Sequence, residues 1–244
     1  MKKHLPNIIT LLNLAAGTIA VIFASQNLLE YAAYFVFAGI MLDFFDGFLA
    51  RILGVQSELG VQLDSLADMV SSGVAPGIVM FQLLRNTGSN WNMYDLFSKS
   101  SDLNYLPFLG LLITLAAAYR LAKFNIDDYQ QHSFIGLPTP ALSIFVLSLP
   151  LISIYGTNEL VMNLVKDPYF LIVTTILGSI LMNSKLPLFS LKVTNFSLKE
   201  NLIQYLFVVL SILLMFVLQI SSIPIIILMY IVLSVGDNLL GSKN

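Results

Sequence analysis

DFFDGFLARILGVQSELGVQLDSLAD, Asp43 to Asp68, decides how this chain is read. It sets Asp43, Asp46, Asp64 and Asp68, together with Arg51 and glycines at 47 and 60, inside a sequence that otherwise reads as apolar helix. A charged side chain at mid-bilayer costs about 2.5 kcal/mol or more, so carboxylates among apolar spans are functional candidates by default.

The surroundings are those of an integral membrane protein. Of 244 residues, 57% are hydrophobic and 11% charged, and the mean hydropathy is +0.83, far outside the range of soluble domains. Crossing a hydrocarbon core of roughly 30 Å takes about 20 apolar helical residues. Apolar runs recur at 8–24, 28–53, 64–84, 106–124, 137–155, 169–182, 202–220 and 223–239. The expected fold is therefore all-α, a polytopic bundle of about eight transmembrane helices. It forms a single membrane domain over 1–244, with a catalytic core over about 1–183 and a loop plus two C-terminal helices over 184–244. The apolar run after MKKH continues to Ala24 without a small-residue cleavage site, so it reads as a retained first helix.

Eight spans put both termini on one side. Lys2, Lys3, Arg51, Arg120, Lys123, Lys185, Lys192, Lys199 and Lys243 then fall on that side, against Arg85, Lys99 and Lys166 on the other. Cytoplasmic flanks are enriched in Lys and Arg, so the termini and the aspartates are expected at the cytoplasmic face of the cell membrane. A net charge of -2 offers no basic surface for nucleic acid, and the absence of cysteine excludes disulfides and thiolate metal sites. The polar 86–104 stretch holds the single tryptophan, Trp91, as an interfacial aromatic, and His132 reads as an ordinary loop residue.

At 100° per residue, Asp43, Asp46, Gly47, Ala50 and Arg51 lie within about 140° of one another around one helix. The next helix is expected to begin at Ser57, a good N-cap with Glu58 in its first turn, and Gly60, Asp64 and Asp68 stack at i, i+4 and i+8. Two acidic faces thus meet at a short turn, with small residues leaving room beside them. A purely structural ion-pair network needs matching cations, and only Arg51 is near. Close carboxylates raise one another's pKa, which hard divalent cations relieve. Oxygen-only ligands point to Mg²⁺, Mn²⁺ or Ca²⁺, and two such ions sharing four carboxylates match two-metal phosphoryl-transfer sites. A diphosphate is the natural third party, with Arg51 as a further anion partner.

The same residues satisfy D-x-x-D-G-x-x-A-R-x(8)-G-x-x-x-D-x-x-x-D at every fixed position. The stretch resembles the signature of the CDP-alcohol phosphatidyltransferases, membrane enzymes that displace CMP from a CDP-linked lipid or alcohol. PNIITLLNLAAG (Pro6 to Gly17), SLADMVSSGVAP (Ser65 to Pro76), AYRLAKFN (Ala118 to Asn125) and FIGLPTPA (Phe134 to Ala141) are similar to the phosphatidylserine synthase branch. Ser72 departs from that branch, which more often has an aromatic there, and Lys123 stands where arginine is more usual.

The resemblance implies that Asp43, Asp46 and Asp64 hold divalent metal, Mg²⁺ or Mn²⁺, with Asp68 near the ions and acting as general base. It implies that Gly47, Ala50, Arg51 and Gly60, with Asp46, line the CDP site, that CDP-diacylglycerol and L-serine are the substrates, and that the protein is a homodimer. Serine carries a carboxylate, for which Arg120 is the expected partner, with Lys123 and Asn125 beside it. Gly73, Pro76 and Gly77 are expected to loosen the third span, and Pro138 with Pro140 to open the fifth. Two other readings compete: a sibling enzyme using glycerol 3-phosphate or an inositol derivative, and a cation transporter whose acids mark an ion path.

Overall fold

The computed structural model describes residues 4–88, 105–126, 134–189 and 201–241. The expectations for Lys2, Lys3, Trp91, Lys99, His132, Lys192, Lys199 and Lys243 lie outside the described residues. The chain is helical in the order α1 (Leu5–Ser25), α2 (Leu29–Leu53), α3 (Glu58–Asp68), α4 (Ala75–Asn86), α5 (Leu111–Ile126), α6 (Thr139–Tyr155), α7 (Glu159–Leu164), α8 (Pro168–Asn183), α9 (Leu202–Leu218) and α10 (Ser222–Gly241). Each of the eight apolar runs coincides with a helical rod, because such a run satisfies its backbone groups within a membrane only as helix.

Among the described residues, four stretches are long and apolar enough to cross a membrane outright: Leu5–Ser25, Glu58–Asn86, Leu106–Ile126 and Leu202–Asn238. The last is divided by Gln219, whose φ of 48° breaks the helix between α9 and α10. α6 and α8 are shorter apolar helices, and α2 spans 25 residues while carrying Glu30, Asp43, Asp46 and Arg51.

The third rod is not regular. Met69–Val74 is π-helical and joins α3 to α4 without a break. Pro76 explains it: proline has no N–H to donate and its ring clashes with the carbonyl four residues back, which a wider turn relieves. The expected loosening at Gly73, Pro76 and Gly77 therefore takes the form of a π turn. Against it packs α1. A Cβ on Gly17 would stand 2.7 Å from Ser71 Cα, so here two backbones touch. Ala16, Ala20 and Ala24 of α1 and Ala32, Ala33 and Val36 of α2 are all buried, the small-residue packing that lets membrane helices approach.

The core centres on α6, which is buried along most of its length. Leu147, Leu149 and Ile152 of α6, Met80 and Leu84 of α4, Ile113 of α5, and Leu171 and Met182 of α8 are all sealed within it. α9 and α10 lie outside this core and turn apolar side chains such as Phe216 and Val232 outward. Pro138 caps α6 and Pro140 sits in its first turn, as expected, because that turn needs no N–H from proline.

Ahead of α6 lies a feature no periodicity announced. β1 (Phe134–Ile135) pairs antiparallel with β2 (Pro187–Leu188), Phe134 opposite Leu188 and Ile135 opposite Pro187. Gly136, at φ 74°, turns the chain so that its N–H reaches Leu186 O at 2.8 Å and that of Leu137 reaches Leu181 O at 3.0 Å. From α10, Asn238 donates to Pro187 O at 2.6 Å and Tyr230 to Phe189 O at 2.8 Å.

Candidate active site

The site is built at the turn between α2 and α3. Gly54, at φ 62°, ends α2 in the left-handed conformation that favours glycine, with Val55 N–H closing on Ala50 O at 3.1 Å. Ser57 then caps α3, its hydroxyl accepting from Gly60 N–H at 3.1 Å. This reversal sets the last turns of α2 against α3, and the four aspartates face one cavity of about 870 Å³.

Carboxylate oxygens of Asp43, Asp46 and Asp64 lie within 4.8 Å of one another, while Asp68 stands outside that trio. Three oxygen donors at this separation, in a cluster where Asp46 is buried and the others partly so, fit a hard divalent cation.

Ten of the eleven residues singled out in the sequence line this one cavity: Asp43, Asp46, Gly47, Ala50, Arg51, Gly60, Asp64, Asp68, Arg120 and Asn125. Lys123 does not belong to its wall. Arg51 lies at the outward-facing end of α2, and an ideal Cβ on Gly47 would be 4.0 Å from its Nη2. Gly60 keeps another approach open, since a Cβ there would meet Ser57 Oγ at 3.2 Å and Asn7 Oδ1 at 3.4 Å. Arg120 reaches in from α5. Its guanidinium is in electrostatic range of Asp68, and its Nε is buried without a hydrogen-bond partner among the described residues. An orphaned charged donor in a polar cavity is suited to an anionic guest.

Asn125 is held rather than free. Ser65 donates to its Oδ1 at 3.0 Å, and its Nδ2 donates to Gln62 Oε1 at 3.4 Å, which ties the end of α5 to α3.

α1 supplies residues that were not singled out. Thr10 donates to Asp46 Oδ2 at 2.5 Å and lies 3.1 Å from Pro6 O, and Asn13, fully buried, donates to Asp68 Oδ1 at 3.4 Å. Gly39 makes room for Asn13, because a Cβ there would come within 2.7 Å of its Oδ1. The signal was present in the sequence. Two polar residues at i and i+3 in an apolar span share a face, and buried polar groups within a membrane bundle seek polar partners.

A helical membrane bundle with an oxygen-lined acidic trio, an adjoining carboxylate and a partly buried arginine in one cavity has the makings of a phosphotransferase. The CDP-alcohol phosphatidyltransferase family model matches residues 3–235, and the chain belongs to that family of enzymes, which sets aside the transporter reading. It is 32% identical over 180 residues to the CDP-diacylglycerol–serine O-phosphatidyltransferase of Bacillus subtilis, covering 69% of this chain and 92% of that relative. The protein of the same description from Mycobacterium leprae is 34% identical over 153 residues, which cover 59% of this chain and 46% of the relative. The archaetidylserine synthase of Methanothermobacter thermautotrophicus is 28% identical over 155 residues, covering 62% of this chain and 60% of the relative.

Proposed function

We propose that this enzyme transfers the phosphatidyl group of CDP-diacylglycerol to the hydroxyl of L-serine, giving phosphatidylserine and CMP. The observation that carries the reading is the convergence of the complete signature, Asp43 through Asp68, and Arg120 on a single cavity, in a chain whose relatives are described as serine phosphatidyltransferases.

Asp43, Asp46 and Asp64, with Asp68 alongside, would hold Mg²⁺ or Mn²⁺, two ions in our reading. Divalent metal bound there supplies charge neutralisation for the diphosphate and for the departing CMP. The remaining work falls to the chain. Arg51, at the cavity mouth, pairs with the diphosphate, and Gly47, Ala50 and Gly60 leave space for the nucleotide to lie against helix backbone. Arg120 binds the serine carboxylate, with Asn125 bracing that wall and Lys123 adding positive charge one turn away. Asp68 accepts the proton of the serine hydroxyl. The serine oxygen then bonds to the phosphorus that carries diacylglycerol, and the bond from that phosphorus to the CMP oxygen breaks. General-base assistance of this kind is worth typically 10²–10⁴-fold.

In this reading the site opens to the cytoplasm, so that nucleotide and serine arrive from water while the acyl chains stay in the bilayer, and two copies of the chain associate as a homodimer. The test is CMP release by purified protein from CDP-diacylglycerol with Mg²⁺ or Mn²⁺. Release that requires serine, and that chelation abolishes, supports the reading; release driven instead by glycerol 3-phosphate or inositol would overturn it.

A further inference from the structure

At the end of the bundle remote from the aspartates lies a second cavity, of about 460 Å³. It is bounded by the α1–α2 turn, the last turns of α4 and α6, and the residues just before α8. At 1.5 Å rise per residue, about 20 Å of helix separates Glu30 at its wall from Asp43. Its size is that of a small-molecule site.

The wall combines opposite charges and fixed polar groups. Glu30 contributes a carboxylate. Tyr34 donates to Glu30 Oε1 at 2.8 Å and Tyr155 donates to the same oxygen, so the group is oriented through Oε1, and among the described residues Oε2 is left to a cation. The ring of Tyr31 stands beside it, braced by stacking on Phe23 at 5.4 Å, and an aromatic face also attracts an ammonium. Lys166 contributes the positive charge. Asn86 donates one amide hydrogen to Asn27 Oδ1 at 2.9 Å and keeps the other. Asn27 itself sits at φ 60°, a left-handed conformation uncommon outside glycine and more frequent for asparagine.

The rest of the lining is apolar apart from the hydroxyls of Thr87 and Ser153, and Leu28 and Ile154 carry it out to the surface. Tyr31, Tyr34 and Tyr155 are each about half exposed at this end of the bundle, as aromatic residues at a membrane–water boundary are. The cavity therefore lies at headgroup depth, with an apolar exit toward acyl chains.

We propose that this cavity seats the headgroup of a zwitterionic phospholipid bearing a primary ammonium, its ammonium on Glu30 Oε2 and its phosphate on Lys166, Asn27 and Asn86. One fixed anion and one cation in the same pocket match a ligand with both charges and no net charge. An anionic headgroup satisfies Lys166 but brings nothing to Glu30. A quaternary ammonium has no N–H to donate to Glu30.

The test uses the delipidated full chain in detergent and native mass spectrometry with short-chain phosphatidylethanolamine, phosphatidylglycerol and phosphatidylcholine at equal concentration. Phosphatidylethanolamine is expected to be retained over both others. Glu30→Gln should abolish its advantage over phosphatidylcholine, and Lys166→Ala should weaken its binding about tenfold, the effect of losing one hydrogen bond to a charged group. Unchanged CMP release and melting temperature in the variants show that the fold is intact, and exposed Lys166 alone decides the matter if the Glu30 variant is unstable. Equal retention of the three lipids, or binding unaltered in the variants, overturns the proposal. Competition by free phosphoethanolamine at the same concentration as the lipid overturns the assignment to a bilayer component.

Discussion

Thr10 of α1 donates to Asp46 Oδ2 at 2.5 Å, linking the first helix to the least solvent-exposed of the four aspartates. The hydrogen bond fixes the rotamer of a group proposed to hold metal, and such supporting partners are typically worth 10–100-fold in metal affinity or activity. Thr10→Val keeps the shape and removes the donor. It should lower CMP release about 10–100-fold and raise the Mg²⁺ concentration needed for half-maximal rate, whereas Thr10→Ser should stay close to native. A metal titration of the three proteins checks this.

Asp68 stands apart from the oxygen trio and is hydrogen-bonded to Asn13. Asp68→Asn should therefore reduce turnover by about 10²–10⁴, the usual worth of a general base, with little change in the apparent KM for CDP-diacylglycerol. Loss of metal binding equal to that in Asp43→Asn would instead make Asp68 chiefly a ligand. Calorimetry with Mn²⁺ on both variants separates the two roles.

Arg120 and Asn125 make different demands on the same wall. Arg120→Ala removes the proposed partner of the serine carboxylate, so the KM for serine should rise much more than that for CDP-diacylglycerol; equal effects would contradict the assignment. Asn125→Ala removes both hydrogen bonds that tie α5 to α3, and Ser65→Ala removes the shorter of the two. Both should raise the serine KM by a smaller factor than Arg120→Ala, Asn125→Ala by the more, measurable in the same assay.

Gly17 meets the π turn backbone to backbone. Gly17→Ala forces α1 away from Ser71, and overpacking of this kind costs about 1–3 kcal/mol. At about 2–4 °C per kcal/mol for a chain of this size, the apparent melting temperature in detergent should fall by several degrees. Gly236→Ala, with nothing among the described residues within 4 Å of the added Cβ, is the control and should leave it unchanged or slightly raised, alanine being the better helix former.

Much of this was legible in the sequence because the relevant forces are local. Apolar length alone marks a membrane helix, so the eight runs coincide with helical rods, and the start of α3 carried its own signal in Ser57. The spacing of Asp43, Asp46, Asp64 and Asp68 sufficed to bring them to one cavity, since one short reversal joins their helices. What stayed hidden depends on packing between distant segments. Thr10 and Asn13 acquire their roles only when α1 lies against α2 and α3. The short helix α7 and the two-residue pairing of β1 with β2 are below the length at which a hydrophobic period is recognisable. Lys123 shows the converse: one turn from Arg120 in sequence, it falls outside the cavity because helical phase, rather than proximity along the chain, selects which side chains face inward.

The hold of α10 on β2 has a consequence for the order of synthesis. Asn238 and Tyr230 fasten Pro187 and Phe189, β2 fastens β1, and Gly136 and Leu137 lead directly into Pro138, Thr139 and Pro140 at the wall of the aspartate cavity. A nascent chain that has completed α1 to α8 already owns every aspartate of the signature, yet this brace on the rim arrives only with the last helix. In order of synthesis this contact on the cavity rim is therefore the last to become available, after every aspartate of the site is already in the chain.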